Sequence, residues 1–127
     1  MTYLDRLTEL KTAFDRLKEA VHQVQNQLDK DGAIQRFEFT FELLWKTLKE
    51  YAEDKGRLDV ASPKSAFRVA ADLGLIENPQ TWFDFLKNRN AAAHLYDEQA
   101  ANQVYSQIPS FVAATEKLIA SLSLVGG

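Results

Sequence analysis

The sequence predicts an all-helical protein: an up-and-down bundle of four main helices with one short extra helix. Long stretches carry apolar residues at alternating spacings of three and four, which is the spacing of one helix face. Serine, asparagine, proline and glycine stand where such helices would begin and end. The 127 residues suit one domain, residues 1–127, and they show no internal repeat or linker.

The first helix is predicted over residues 2–28. Thr2 caps its start, and Asp5 lies in the first turn, where a negative charge is favourable. Residues 29–32 then form a short polar connection. The face that enters the core consists of seven apolar residues: Leu7, Leu10, Phe14, Leu17, Val21, Val24 and Leu28.

The second helix is predicted over residues 33–55, although residues 37–42 alternate between aromatic and polar side chains as a strand does. Helix is preferred because the apolar spacing continues through the whole stretch and Gly56 stands at its end. Two apolar faces result, because three further apolar residues lie outside the main stripe. This pattern fits a helix that meets a second subunit and equally a central core helix of a monomer. The three residues are Phe39, Leu43 and Trp45.

Proline and glycine divide the remainder of the chain. A serine–proline pair and a glycine bound a short helix over residues 62–74, and an asparagine–proline pair at residues 78–79 begins the next helix. Asp97 caps a last helix, in which Pro109 removes one backbone donor and predicts a kink or break. Residues 124–127 are expected to form a frayed tail.

Composition excludes several classes of function. The chain has no cysteine, which excludes disulfides and thiolate metal sites. A net charge of −3 argues against broad non-specific binding of nucleic acid, although a small local basic site stays open. No apolar run approaches the length of a membrane span, and the first residues resemble no signal peptide. We therefore expect a cytoplasmic protein without a membrane partner.

The side chains most suited to chemistry concentrate in residues 87–97. Arg89 and His94 are five residues apart, which on a helix is a turn of about 140° and a rise of about 7.5 Å. Asn90 lies one turn before His94 and is placed to hydrogen-bond its ring and fix the tautomer. The aspartate after Tyr96 predicts a helix break, which would let Arg89, His94 and Tyr96 face one cleft.

These residue types match metal-free cleavage of RNA. Arginine holds a phosphate and stabilises the charge that grows in the transition state, and histidine takes and returns a proton near neutral pH. The 2′-hydroxyl of RNA supplies the nucleophile, and the sequence has no metal-ligand spacing. The alternative is structural, since an arginine near a helix end often binds the last carbonyls. One copy is also a sparse site, whereas a two-fold dimer would bring together two copies of Arg89 and His94.

The motif Arg89-Asn90-x3-His94-x-Tyr96 resembles the R-x4-H-x-Y motif of the HEPN superfamily of all-helical proteins. The resemblance extends over nearly the whole chain and points to the nucleotidyltransferase substrate-binding branch, which is HepT-like. The segments that carry it outside the motif are residues 37–49, Ser62-Pro63, Gly74-Leu75-Ile76 and Trp82.

The resemblance implies a HEPN-like fold and a small nucleotidyltransferase of the MNT type as partner, as in toxin–antitoxin modules. In HepT-type members a metal-independent endoribonuclease site forms at a homodimer interface, without a cofactor. Arg89 would then bind the scissile phosphate, His94 would act as general acid and base, and Asn90 would orient His94. The partner would add AMP to Tyr96.

Ala93 departs from the pattern of these relatives, which often carry a hydroxyl residue directly before the histidine. The departure keeps a second interpretation open, in which the chain is a non-catalytic substrate-binding subunit, or adaptor, of the nucleotidyltransferase. A plain structural helix bundle is the third interpretation.

Overall fold

The computed structural model describes residues 2–126, and in this range it contains six α-helices, one short 3-10 helix and no strand. The all-helical prediction is therefore confirmed. Four helices correspond to predicted ones, including the short extra helix, and the predicted last helix is divided in two. The elements are α1 Tyr3–His22, α2 Gln27–Asp54, α3 Pro63–Asp72, α4 Pro79–Ala91, the 3-10 helix Ala92–His94, α5 Glu98–Ser106 and α6 Ile108–Gly126.

Helices α1 and α2 lie side by side in opposite directions. The ring of Tyr3 at the start of α1 packs edge-on against Tyr51 near the end of α2, with centroids 5.3 Å apart. One turn further, Arg6 Nη2 lies 2.8 Å from Glu50 Oε1. This pairing is the antiparallel arrangement expected of neighbouring helices joined by a short connection.

The predicted boundary between the first two helices is wrong. Helix α1 ends at His22, and α2 already begins at Gln27, because Asn26 caps it by accepting from the Asp29 N–H at 2.8 Å. The predicted polar connection therefore forms part of the first turns of α2. Leu28, predicted to extend the α1 stripe into the core, lies on α2 with 78% of its surface exposed.

The predicted helix ends at two glycines are confirmed. Gly56 and Gly74 adopt φ values of +82° and +79°, which are accessible at little cost only to glycine. At each end the glycine N–H bonds to a carbonyl three residues back, and the next N–H bonds to one five residues back. These two hydrogen bonds at each helix end give partners to the last carbonyls of α2 and α3, which would otherwise have none within the helix.

A break near Pro109 was predicted and is confirmed. Helix α5 ends at Ser106, Gln107 separates the two helices, and Pro109 becomes the second residue of α6. There the missing proline N–H costs nothing, since the first N–H groups of a helix have no intrahelical partner. Residues 124–126 continue α6 and do not form the predicted frayed tail, and Gly127 lies outside the described residues.

The stretch Glu98–Val125 is long and apolar enough to cross a membrane by length and composition, with a mean hydropathy of 1.4 in its richest window. The expectation that no apolar run approaches a membrane span is therefore too strong. In the fold this stretch is two helices separated at Gln107, and its apolar residues Ile108, Phe111 and Leu122 are fully buried among the other helices.

Aromatic side chains from four helices fill the centre of the bundle. Phe111 of α6 packs edge-on against Phe37 of α2 at 4.8 Å and Phe85 of α4 at 5.4 Å between centroids. Trp82 of α4 stacks on Phe67 of α3 at 5.3 Å. Aromatic pairs in these geometries add to the free energy gained from burial alone. The cluster thereby fixes α4, whose far end carries the motif.

Candidate functional site

The motif lies where α4 loses its regular hydrogen bonding. The helix ends at Ala91, the 3-10 helix Ala92–His94 follows, and Asp97 caps α5 by accepting from the Gln99 N–H at 3.0 Å. The predicted break after the motif histidine is confirmed. It leaves a short exposed corner between two helices.

Arg89 turns toward α2. Its Nη2 lies 3.3 Å from Glu42 Oε2, and its Nη1 donates to Asn90 Oδ1 at 3.4 Å. The Arg89 Nε is buried without a hydrogen-bond partner in the described part of the chain. The guanidinium is therefore held at one edge, while about a third of the side chain, 36%, stays exposed.

The edge of α2 beside Arg89 is acidic. Burial of the Glu38 carboxyl raises its pKa, and the nearby Arg89 cation lowers it in part. Glu42, one turn further along α2, also lies 3.8 Å from Lys46 Nζ. Arg89 is thus set against two carboxylates, of which Glu42 makes the direct contact.

His94 is exposed and has a single close polar neighbour in the described residues. Its Nδ1 lies 3.4 Å from the Tyr96 hydroxyl, and the two rings pack edge-on with centroids 5.9 Å apart. Tyr96 has 87% of its surface exposed. Both side chains are therefore open to a molecule arriving from solvent.

The protomer does not bring Arg89 and His94 together. Arg89 contacts Glu42 and Asn90, whereas His94 contacts Tyr96 and lines a separate depression between α4 and α5. The predicted hydrogen bond from Asn90 to His94 is not formed, and the Asn90 oxygen accepts from Arg89. Within one protomer, Arg89 and His94 therefore have separate polar partners.

A larger groove of about 790 Å³ lies between α1 and α2, beside the Arg89 contact. Phe39, one of the apolar residues predicted to lie outside the main stripe, is 58% exposed in it. Leu43 also lines the groove and is half-buried, while Trp45 packs against the core. Charged side chains surround this apolar floor: Glu9, Arg16, Arg36 and Glu42.

No group of three or more histidine, aspartate or glutamate side chains in residues 2–126 is placed to hold a metal ion. His22, the other histidine, is exposed at the last turn of α1.

The sequence assigns no role to three charged residues at this site. Glu38 and Glu42 are one turn apart on α2, and that spacing showed that they share a face without showing that Arg89 meets it. Lys87, which lines the His94 depression, lies on α4, seven residues before His94 in the 3-10 helix. Spacing alone was not a sufficient signal, because residues seven apart share a side only on a continuous helix, and α4 ends at Ala91.

This all-helical bundle carries an R-x4-H-x-Y motif that begins at Arg89 in α4 and ends at Tyr96, beyond the 3-10 helix, and these are the features that the resemblance to the HEPN superfamily predicts. Residues 5–124 match the family model described as nucleotidyltransferase substrate binding protein like. The chain belongs to this family.

Two kinds of relative agree with this assignment. The Haemophilus influenzae protein named "Probable ribonuclease HepT" is 32% identical over 138 residues, covering 96% of this chain and 94% of that protein. A crystal structure from Thermus thermophilus superposes with a TM-score of 0.83 at 31% identity, covering 89% of this chain and 98% of that one.

A Haemophilus influenzae structure superposes with a TM-score of 0.78 at 29% identity, covering 92% of this chain and 98% of the other. That structure was described as revealing the fold of a substrate-binding domain of a nucleotidyltransferase. The HepT-like, HEPN-type fold predicted from the motif and its flanking segments is thereby confirmed.

Proposed function

We propose that this chain is the HEPN partner of a small MNT-type nucleotidyltransferase in a toxin–antitoxin module of the cytoplasm, and that it cleaves RNA without a metal ion. The observation that carries the proposal is the exposure of His94 and Tyr96 at a helix break just beyond a partly exposed Arg89. The family and the name of the Haemophilus influenzae relative support both the partner and the activity.

In the proposed reaction the 2′-hydroxyl of RNA attacks the adjacent phosphorus. The new O2′–P bond forms as the P–O5′ bond breaks, which leaves a 2′,3′-cyclic phosphate and a free 5′-hydroxyl. His94 takes the proton from the 2′-hydroxyl, and an imidazolium returns one to the leaving 5′-oxygen. Arg89 binds the phosphate and stabilises the charge that develops on its oxygens.

The proposal includes a homodimer, because Arg89 and His94 have separate surroundings within one protomer. The α1/α2 groove supports this arrangement, since it combines an exposed apolar residue, Phe39, with a rim that carries both charge signs. In a two-fold dimer such a surface can pair with itself, so that the arginines of the rim in one copy meet the glutamates of the rim in the other. The second copy would supply the missing histidine or arginine, and Asn90 would hold Arg89 in place.

Tyr96 is the proposed site of AMP addition by the partner. Its phenol oxygen would attack the α-phosphorus of a nucleoside triphosphate, losing its proton as pyrophosphate leaves. The modified hydroxyl lies 3.4 Å from His94 Nδ1, so the added phosphate would stand at the histidine that the reaction requires. A negative charge there repels the RNA phosphate, and modification would switch cleavage off.

The test is cleavage of labelled RNA by purified protein in the presence of a chelator. We expect His94→Ala to lower the rate by about 10²–10⁴-fold and Arg89→Ala by about 10²–10³-fold. His22→Ala is the matched control, because this second histidine is exposed and lies on α1. Equal rates for His94→Ala and His22→Ala would exclude the assigned role of His94.

Mixing the two inactive variants tests whether the site is shared between copies. A heterodimer of Arg89→Ala with His94→Ala still contains one intact arginine and one intact histidine from different copies. We therefore expect the mixture to regain a substantial part of the activity of the unaltered protein. No recovery, in a mixture shown by mass spectrometry to contain heterodimers, would place each site within one protomer.

The second candidate function is a non-catalytic adaptor that binds the nucleotidyltransferase and presents its substrate. Ala93, which gives no hydroxyl beside His94, and the separation of Arg89 from His94 favour it. An adaptor would form a stable complex with the nucleotidyltransferase on a sizing column and would leave RNA intact in the cleavage assay. An RNA-cleaving sample that loses activity in His94→Ala excludes a purely adaptor role.

A further inference from the structure

The depression that contains His94 also contains a cation that is not Arg89. It measures about 480 Å³ and is lined from the α4 side by Lys87, Asn88 and His94, and from α5 and its end by Gln103 and Gln107. The guanidinium of the motif lines no part of it and is engaged by a glutamate of α2 instead. Among residues 2–126, Lys87 is therefore the cation that lines the same depression as His94.

Lys87 is exposed and forms no ion pair with any described residue. One carboxylate, Asp84, lines the same depression and opposes an anionic ligand there. Asp84 is engaged by the amide of Gln80, whose Nε2 donates to Asp84 Oδ1 at 3.0 Å. The ammonium of Lys87 is thus free to meet a phosphate beside the histidine.

One turn before Lys87, α4 carries an aromatic ring covered by two more cations. The Nζ of Lys64 lies 5.3 Å from the centroid of the Phe83 ring, and the guanidinium carbon of Arg68 lies 5.6 Å from it. Both cations are exposed on α3, and neither forms an ion pair within the described residues. This cluster, the α3/α4 basic patch, consists of Lys64, Arg68, Phe83 and Lys87.

We propose that the α3/α4 basic patch is a track for single-stranded RNA that leads to His94. Lys87 binds a phosphate next to the one that is cleaved, and Lys64 and Arg68 bind phosphates further along the strand. The proposal rests on the proposed ribonuclease function and names how that site holds its substrate.

Position and charge together support the track. Phe83 and Lys87 are four residues apart and therefore lie on one side of α4, and Lys87 and His94 line the same depression. A row of cations on one surface suits a single strand, since each cation can neutralise a phosphate. The Phe83 ring holds Lys64 and Arg68 in this row through its cation–π contacts with them. The net charge of −3 belongs to the whole chain and does not describe this local surface.

The experiment measures fluorescence anisotropy of a short labelled single-stranded RNA of mixed sequence at several salt concentrations. All proteins carry His94→Ala, so that the RNA stays intact during the measurement. In this background we expect Lys87→Ala to weaken binding about threefold to tenfold and Lys64→Glu with Arg68→Glu to weaken it by more than about tenfold. The log–log slope of affinity against salt should become shallower by about 0.7 for each phosphate that the variant no longer neutralises.

Lys11→Ala is the matched control, because Lys11 is exposed on α1, which packs against α2 and α6, and it has no ion pair among the described residues. Binding by Lys87→Ala that equals binding by Lys11→Ala overturns the track while leaving the ribonuclease proposal intact. Absence of both binding and cleavage by the chain without substitutions overturns both proposals. Circular dichroism of each variant confirms that the helices remain folded.

An acidic protein surface is the other ligand that such a patch attracts. If the double charge reversal abolishes a complex with the nucleotidyltransferase and leaves RNA affinity unchanged, the patch is a protein-docking surface and the RNA track is wrong.

Discussion

The two ends of α4 have opposite characters. At its beginning Trp82 and Phe85 are each 5% exposed and pack into the aromatic cluster. At its end the chain passes through a 3-10 turn that leaves His94 and Tyr96 in solvent, with one contact of 3.4 Å between them. The same helix therefore serves as an anchor over its first turns and as a platform over its last.

This difference shows how a small bundle presents reactive side chains without weakening its core. Packing fixes the direction of α4 at the buried end, and the loss of helical hydrogen bonds at the other end frees His94 from the constraints of a helix face. Arg89 lies between these extremes, since Glu42 holds it while part of its surface stays open. Stability and chemistry should consequently respond to different residues of one helix.

The strongest test compares substitutions at the two ends. Trp82→Ala removes a side chain that stacks on Phe67 at 5.3 Å and should lower the free energy of unfolding by about 3–5 kcal/mol. His94→Ala should change it by no more than about 0.5 kcal/mol, because the ring is exposed. Urea unfolding followed by circular dichroism measures both. A cost below about 1 kcal/mol for Trp82→Ala would show that Trp82 does not fix α4 in the core.

A smaller effect on the free energy of unfolding is expected at Asp97, which caps α5 directly after the exposed corner. Asp97 Oδ1 accepts from the N–H groups of Gln99 and Ala100, so Asp97→Ala should cost about 1 kcal/mol. Asp97→Asn retains the acceptor and serves as the control. Hydrogen exchange should accelerate at the first amides of α5 in the alanine variant alone. Uniform acceleration across α2 and α6 would show that the corner is not a local unit.

The pairing of Arg89 with Glu42 should contribute less than the cap. A double-mutant cycle with Arg89→Ala and Glu42→Ala should give a coupling of about 0.2–1 kcal/mol, because both side chains are more than a third exposed to solvent, 36% and 37%. The coupling should shrink as salt is added, since screening weakens exposed ion pairs. A coupling that is zero at low salt would mean that Glu42 does not hold the arginine.

The smallest effect concerns Glu38, whose carboxyl has a pKa raised above its ordinary value of 4.5 by burial, with Arg89 lowering it in part. Because the pKa of Glu38 is higher in the folded chain than in the unfolded chain, folding favours the protonated carboxyl. This contribution to stability is fully present below the unfolded pKa and is lost as the pH rises through the folded pKa. Glu38→Gln should therefore be more stable than the unaltered chain at neutral pH, by less than about 0.5 kcal/mol. The advantage should vanish in acid, as unfolding at about pH 3 and about pH 7 would show; the opposite trend would contradict the sign of the shift.

Local signals in the sequence were sufficient for most helix ends. The caps at Thr2, Ser62 and Asp97 and the stops at Gly56 and Gly74 depend on bonds within five residues, so a short window contains their cause. The prediction missed the helix boundary at residues 23–26 because apolar residues continue at helical spacing through it, although Asn26 caps a new helix there. Periodicity alone could not decide between them.

The sequence predicts which residues belong to the candidate site, but it does not predict their contacts. Arg89, His94 and Tyr96 were identified from residue chemistry and from the family motif. The partner of Arg89 was not, since Glu42 is 47 residues away and the contact depends on how α4 crosses α2. Helical spacing predicts a hydrogen bond between Asn90 and His94. The regular helix ends at Ala91, however, so the two residues do not lie on one continuous helix.

The high exposure of Tyr96, 87% of its surface, has a kinetic consequence. An enzyme that acts on this phenol meets it on the native surface and need not wait for the chain to open. The rate of modification should then be independent of the free energy of unfolding of the bundle. A thermostabilised variant would be modified as fast as the unaltered protein.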